Sequence, residues 1–254
     1  MISRIQAEDL AKYYQIDSFT IMREYLQILF LSYLYQEKEA DKICFKGGTA
    51  IRFLFGSSRF SEDLDFSTTY PKAEIKKIMK KLERTMQKEL PTGEIFPLYI
   101  GKNSSRYRFK YQSKDFRYPL VIRIDINEVK RIKEIRTSPL VTKFPIVVFP
   151  LINHLSKKEI LAEKLCALFI RAKGRDFFDV WFLLEKGVDV DIKLLKQKLK
   201  ERQEQLDKEK ILKKIEDCSQ RQLERDLSQF LPSSQRKIVP MLKSRLNQRI
   251  DELL

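Results

Sequence analysis

The chain has 254 residues, 43% hydrophobic and 33% charged, and its 50 Lys and Arg against 35 Asp and Glu give a net charge of +15. That length supports a sizeable core in one large or two smaller domains, and the basic excess favours an anionic partner, nucleic acid before a membrane surface. Cys44, Cys166 and Cys218 lie far apart without a Cys-x-x-Cys, and His154 is the one histidine, which excludes a Cys/His zinc site and fits a reduced, cytoplasmic compartment.

The N-terminal "MISRIQAEDLAKYYQ" is amphipathic and has no apolar core of a signal peptide. Helices are predicted over residues 7–15 and 18–38, the second capped by Asp17 or Ser18, with Met22, Tyr25, Leu26, Leu29 and Tyr33 at helical spacing. Its apolar run "YLQILFLSYLY" is too short to span a membrane and meets the charged "QEKEADK", so a buried helix is expected. "KICF" reads as a buried strand ending at Gly47-Gly48, "TAIRFLF" as a short helix and "DLDFS" as a strand. A basic helix follows Pro71 over residues 72–90. Strands follow at "GEIFPLYIGK", "RYRFKYQ" and "PLVIRIDIN". In the last, Val121, Arg123, Asp125 and Asn127 share one face, and Ile122, Ile124 and Ile126 the other. From Ser156 the pattern is helical, over residues 156–173, 175–186, 191 to about 230, and 234–253. The expected architecture is α/β (α+β): a mixed sheet flanked by helices over residues 1–150, then a helical module over residues 151–254.

Asp63 and Asp65 stand two apart on a strand and leave the same face, with Leu64 turned to the core. With Asp125 on another strand they form a set of three carboxylates suited to Mg²⁺ or Mn²⁺, hard cations that take oxygen ligands and substrate phosphates. Gly47-Gly48, between a strand and a helix, offers backbone N–H groups and a helix N-terminus to phosphate, and Thr49 adds a hydroxyl. Each piece has a plain structural counterpart: Gly-Gly as a turn, Asp-x-Asp as a solvated loop, an Asp on an amphipathic strand as surface. The ordered combination is what points to nucleotide chemistry.

The run "FKGGTAIRFLFGSSRFSEDLDFS" resembles the first motif of the AbiEii/AbiGii toxin family of nucleotidyltransferases, within the DNA polymerase β-like superfamily. The features that carry it are Gly47, Gly48, Arg59, Ser61, Asp63, Leu64, Asp65 and Phe66. "IRIDIN" is similar to the strand bearing the superfamily's third acid, here Asp125. "EILAEKLCALFIRAKGRDFFDVWFLL" resembles the later Glu-Lys…Arg…Arg-Asp-x-x-Asp motif, at Glu163, Lys164, Arg171, Arg175, Asp176 and Asp179.

The resemblance implies transfer of an NMP from an NTP to an acceptor, with tRNA or another RNA first, by a toxin that has a separate antitoxin and no membrane partner. On this reading Asp63, Asp65 and Asp125 hold the metals. Gly47, Gly48, Thr49 and Lys164 hold the triphosphate. Asp176 or Asp179 ion-pairs with Lys164 or Arg171, against the simpler expectation that Asp176 caps its helix. Arg59 and Ser61 either brace the acidic strand or touch phosphate. The aromatic residues around Asp179 are expected to pack, and His154 to lie in a loop.

Two alternatives stand beside this one. The first is a nucleotidyltransferase fold that has become a non-catalytic RNA- or protein-binding module. The second is a metal-dependent nuclease built on Asp125, Glu128 and Lys130. The latter leaves Gly47-Gly48 unexplained and puts Glu128 on the opposite strand face from Asp125. P-loop and protein-kinase signatures are lacking. Within residues 193–214 nine basic residues face four acidic ones, so this segment is read either as a track for a phosphate backbone or as a solvated, salt-bridged helix face.

Overall fold

A computed structural model of the chain describes residues 1–112, 118–147 and 149–253. The chain divides into two compact units, Met1–Gly56 with Phe60–Leu155, and Ser57–Arg59 with Ser156–Leu254.

The first unit opens with α1 (Arg4–Tyr14) and α2 (Ser18–Leu34). Ser3 and Gln6 cap each other's backbone and start α1 at Arg4 rather than at residue 7. The Asp17 carboxylate accepts the Thr20 N–H and caps α2. α2 stops at Leu34 instead of 38, and Lys38–Lys42 form a separate 3-10 turn. Then come β1 (Ile43–Lys46), α3 (Gly47–Phe55), β2 (Asp63–Thr68), α4 (Lys72–Gln87), β3 (Glu94–Ile100), β4 (Ser104–Tyr111), β5 (Leu120–Glu128), β6 (Ile135–Pro139) and β7 (Leu151–Leu155).

Among the described residues the strands form one mixed sheet of seven, in the order β3-β4-β5-β2-β1-β7-β6. β2 runs parallel to β5 and β1 parallel to β7; the other neighbours are antiparallel. Period-two alternation sends Leu64, Phe66, Tyr107, Phe109, Ile122, Ile124 and Ile126 into the core. There α2 packs on β5, α4 on β3, and the Phe30 and Phe109 rings meet at 6.4 Å. Burying each such aliphatic side chain contributes roughly 2 kcal/mol. α4 buries Ile75, Ile78, Met79, Leu82 and Met86 at helical spacing and leaves its lysines outside. The opposite sheet face carries the polar residues of β2, β4 and β5.

β6 and β7 correct the sequence expectation, which has no strand there. β6 is exposed along nearly its whole length and so lacks the alternation that marks a half-buried strand. His154, expected in a loop, is buried in β7, its ring held between the Leu155 carbonyl (2.8 Å) and the Ser138 hydroxyl (3.0 Å).

The second unit holds α5 (Lys157–Ile170), α6 (Gly174–Glu185), α7 (Ile192–Lys200), α8 (Lys208–Asp217), α9 (Gln220–Ser228) and α10 (Leu242–Leu253). The single helix expected from 191 to about 230 is therefore three. Gln203 takes a left-handed φ of 61° after α7, Asp207 caps α8 and Ser219 caps α9. The helix expected over 234–253 begins as a 3-10 stretch, Ser233–Met241, which contains Pro240, a residue without an N–H to donate. No described helix is long and apolar enough to cross a membrane.

Candidate active site

β1 ends at Lys46 and the chain turns into α3 through Gly47, whose φ is +79°. A Cβ built on Gly47 would land in the Asp65 carboxylate, 2.8 Å from its Cγ and 2.9 Å from its Cβ. Glycine is thus required twice here, for the left-handed backbone and for the close approach of β2. The N-cap residue of α3, Lys46, makes no side-chain capping bond, and the first turn of the helix, with its N–H groups and positive dipole end, begins beside Asp65. Thr49 is buried, and its hydroxyl donates to the Asp63 carbonyl. That bond ties α3 to β2, so the Thr49 side chain is a brace in this structure and not a phosphate donor. Farther along, Arg52 pairs with buried Glu24 (Nη2 to Oε1, 2.9 Å) and stacks 3.4 Å above Phe60. Burial raises the Glu24 carboxyl above its ordinary range although Arg52 opposes the shift.

The register of the sheet lines up the candidate metal ligands. Lys46 faces Asp65 across β1 and β2, Asp65 faces Asp125 across β2 and β5, and Asp125 faces Arg106 across β5 and β4. One step along, Asp63 faces Arg123, which faces Arg108. Facing residues share a side of the sheet, so all three acids lie on the polar side.

Two of the three carboxylates, those of Asp63 and Asp125, are engaged by cations of the same face. Arg123 bonds Asp63 and reaches Asp125 at 3.4 Å, and Arg106 bonds Asp125. Partial burial would lower the Arg123 pKa, but Asp63, Asp125 and Asp65 outweigh it and raise it. In this arrangement no group of three or more His, Cys, Asp or Glu side chains among the described residues is gathered to hold a metal ion. The donor type and strand register fit a divalent cation, but Arg123 and Arg106 must first release the carboxylates.

The lead into β2 is pinned to α2. Gln27 donates to the Ser61 carbonyl at 3.0 Å, and Arg23 pairs with Glu62 at 2.6 Å. Glu128 ends β5 on the opposite side from Asp125, facing Thr68, which does not suit a nuclease centre built on both residues.

In the second unit Asp179 is the hub. Arg59 grips both of its oxygens at 2.8 Å, and Lys164 reaches Oδ2 at 2.7 Å. Burial alone would raise the Asp179 pKa, but the Arg59 and Lys164 charges outweigh it and hold the carboxyl below its usual range. Arg59 is itself almost fully buried, so it braces Asp179. Arg171 is the C-cap of α5 and clasps Asp176 through two bonds of 2.9 Å. Lys164 and Arg171 therefore answer to different aspartates. Asp176 does not cap α6, whose N-cap position is Lys173. Glu163 pairs with buried Lys198 at 3.1 Å, and Arg175 stands 5.2 Å over the Phe230 ring. Phe177, Phe178, Val180, Leu183 and Leu184 are buried packing residues, as expected.

Part of the basic segment 193–214 is turned to internal duty. Lys198 joins Glu159 and Glu163, Lys210 joins Glu204 and the Phe169 ring, and Lys214 donates to the Ile170 carbonyl. Those pairings favour the salt-bridged helix face over the backbone track. Sequence reasoning missed Arg106 and Arg123 as partners of the acids. Alternation places both on a polar face, but only the strand register shows which acids they meet.

The chain is similar to several solved structures, two of which follow. JHP933 from Helicobacter pylori superposes with a TM-score of 0.57 at 19% identity, over 93% of this chain and 95% of that one. MenT4, a nucleotidyltransferase toxin from Mycobacterium tuberculosis H37Rv, superposes with a TM-score of 0.62 at 16% identity, over 100% of this chain and 90% of that one. No curated protein matches. At these identities the structures establish the fold. The family follows from the sequence: the family model of the nucleotidyl transferase AbiEii toxin, type IV toxin–antitoxin system, matches residues 29–253, and the chain belongs to that family of nucleotidyltransferases.

Proposed function

We propose that this chain transfers an NMP from an NTP to a hydroxyl of RNA, with tRNA the first acceptor to test, as a cytoplasmic toxin restrained by a separate antitoxin protein. The observation that carries the reading is the juxtaposition of Gly47 and Asp65. A strand-to-helix turn that admits only glycine abuts the acidic strand, and Asp125 stands in register beside it. The +15 charge supports a polyanionic acceptor.

The N–H groups of Gly47, Gly48 and Thr49 hold the triphosphate at the α3 N-terminus. The Lys164 ammonium, paired with Asp179, adds a cation for the phosphates, a role assigned through the family motif. Ser61 and Arg59 brace the segment that leads into β2. Asp63, Asp65 and Asp125 would hold Mg²⁺ or Mn²⁺, which lowers the pKa of an attacking hydroxyl and neutralises charge on the leaving pyrophosphate. In the reaction the acceptor oxygen bonds to the α-phosphorus as the bond to the β-phosphate bridging oxygen breaks. The hydroxyl proton passes to an oxygen of Asp125, and pyrophosphate departs.

Incubation with each labelled NTP and total cellular RNA, followed by sizing of the product, tests the proposal. Wild-type protein labels RNA with one or a few nucleotides, and Asp65→Ala, folded by circular dichroism, does not. Undiminished labelling by Asp65→Ala, or labelling of protein alone, refutes it.

A further inference from the structure

The sheet row that carries Asp65 and Asp125 does not stop at Arg106. Its next member, on β3, is Tyr99. A β-bulge between Pro97 and Tyr99 puts it there. Before the bulge Phe96 faces Arg108, so regular pairing would set Leu98 opposite Arg106. The extra residue shifts the count by one and places Tyr99 on the polar face instead.

Two further features describe this hairpin. A Cβ on Gly101 would stand 2.5 Å from the Tyr99 Cε1 and Cζ, so the ring lies on the backbone of its own hairpin at this glycine. The hairpin tip is bonded to itself and to β5, by Gly101 N–H to the Ser104 carbonyl (2.8 Å) and Glu128 N–H to the Asn103 carbonyl (2.9 Å).

A pocket of about 430 Å³ opens at this end of the row. It is lined by Tyr99, Ser104, Arg106 and Asn127 together with Asp65 and Asp125. Its volume suits one nucleotide. The α3 N-terminus lies on the other flank of the row, beyond Asp65. In an in-line displacement the attacking and leaving oxygens stand on opposite sides of the phosphorus. With the triphosphate at α3, the attacking hydroxyl comes from the Tyr99 side.

The geometry points to this pocket as the subsite for the terminal nucleotide of a single-stranded RNA acceptor, an assignment that rests on the transfer reaction proposed above. Tyr99, 58% exposed, gives the base a stacking surface. Arg106 meets the adjoining phosphate, and Ser104 and Asn127 offer hydrogen bonds to ribose or base edge. Arg108 and Lys110 continue along β4 on the same face, Arg108 lying 5.9 Å over Phe96, and supply cations for the preceding nucleotides. In a paired strand the Watson–Crick edge of each base is taken by its partner, so the base-edge contacts offered by Ser104 and Asn127 favour an unpaired end.

The test uses the full chain without turnover. Binding of a short fluorescein-labelled single-stranded RNA with a free 3′-hydroxyl is measured by anisotropy, and binding of a fluorescent NTP is measured separately. Tyr99→Ala should weaken the RNA about 10-fold or more. Tyr99→Phe should stay near wild type, and both should keep wild-type NTP affinity. Tyr99 is exposed, so neither variant threatens the core. RNA affinity unchanged in Tyr99→Ala overturns the assignment, as does a loss confined to the NTP, or a wild-type protein that binds a duplex of equal length as well as the single strand. Because binding is read without reaction, RNA held through Tyr99 with no pyrophosphate released from any NTP would sink the transfer proposal and leave the subsite standing.

Discussion

Arg123 and Asp63 face each other in register on the parallel strands β5 and β2, and the guanidinium is bonded to the carboxylate. The same arginine reaches Asp125 at 3.4 Å. One side chain thus bridges two of the three acids proposed as metal ligands, and a cation arriving there must displace it. Arg123→Gln removes the competing charge but keeps a polar side chain. We expect the variant to bind Mn²⁺ about 10-fold more tightly than wild type in the absence of nucleotide, a difference worth about 1.4 kcal/mol. Titration calorimetry reads this directly. Weaker Mn²⁺ binding would mean that Arg123 holds the acids in a receptive arrangement instead of competing for them.

Gly47 is where the backbone and the site make the same demand. Gly47→Ala must tolerate both a φ of +79° and a methyl group inside the Asp65 carboxylate. A non-glycine residue in the left-handed region costs about 1–3 kcal/mol when strain is included, and relief of the clash moves Asp65. We expect urea unfolding to show a loss of that order and nucleotide transfer to fall at least about 100-fold. Gly56→Ala is the control: it also has positive φ but nothing within 4 Å of a built Cβ. It should show the strain without the loss of transfer. Equal activity losses in the two variants would remove Gly47's special relation to Asp65.

Much of this was legible in the sequence because local rules govern it. Alternation along "LVIRIDIN" placed Asp125 and Arg123 on one face, and the Gly-Gly before a short helix placed the turn. Register is a non-local property, so nothing in the chain announced that Asp65 faces Asp125 or that Arg123 faces Asp63. β6 stayed hidden because it is exposed along most of its length. The breaks between α7, α8 and α9 were masked by Lys, Gln and Glu, all good helix formers, although Asp207 and Ser219 were readable as caps. Arg59 belongs to a local motif, but its partner lies 120 residues away at Asp179.

That partnership makes the second unit sensitive to acid. Asp179 has a folded-state pKa below its ordinary value. A depressed carboxylate contributes stability above its unfolded pKa, and that stability is lost as pH falls through the folded pKa. Denaturation midpoints followed downward from about pH 5 should therefore decline for wild type, and more shallowly for Asp179→Asn. At neutral pH the same variant leaves Arg59, a buried charge, without its carboxylate, which costs about 3–5 kcal/mol. Parallel declines in the two proteins would show that Asp179 does not govern the acid limb.

Lys164 separates stability from function in the same cluster. Its side chain is 13% exposed and shares Asp179 with Arg59, which holds both carboxylate oxygens by itself. Lys164→Ala leaves Asp179 paired, so its cost in stability should be at most about 1–2 kcal/mol, well below that of Asp179→Asn. If the ammonium serves the triphosphate, NTP binding should weaken about 10-fold or more, the loss of one charge-assisted contact to phosphate. Equilibrium binding of a fluorescent NTP, with circular dichroism to confirm the fold, distinguishes the two effects. An NTP affinity equal to wild type would make Lys164 a purely structural partner of Asp179.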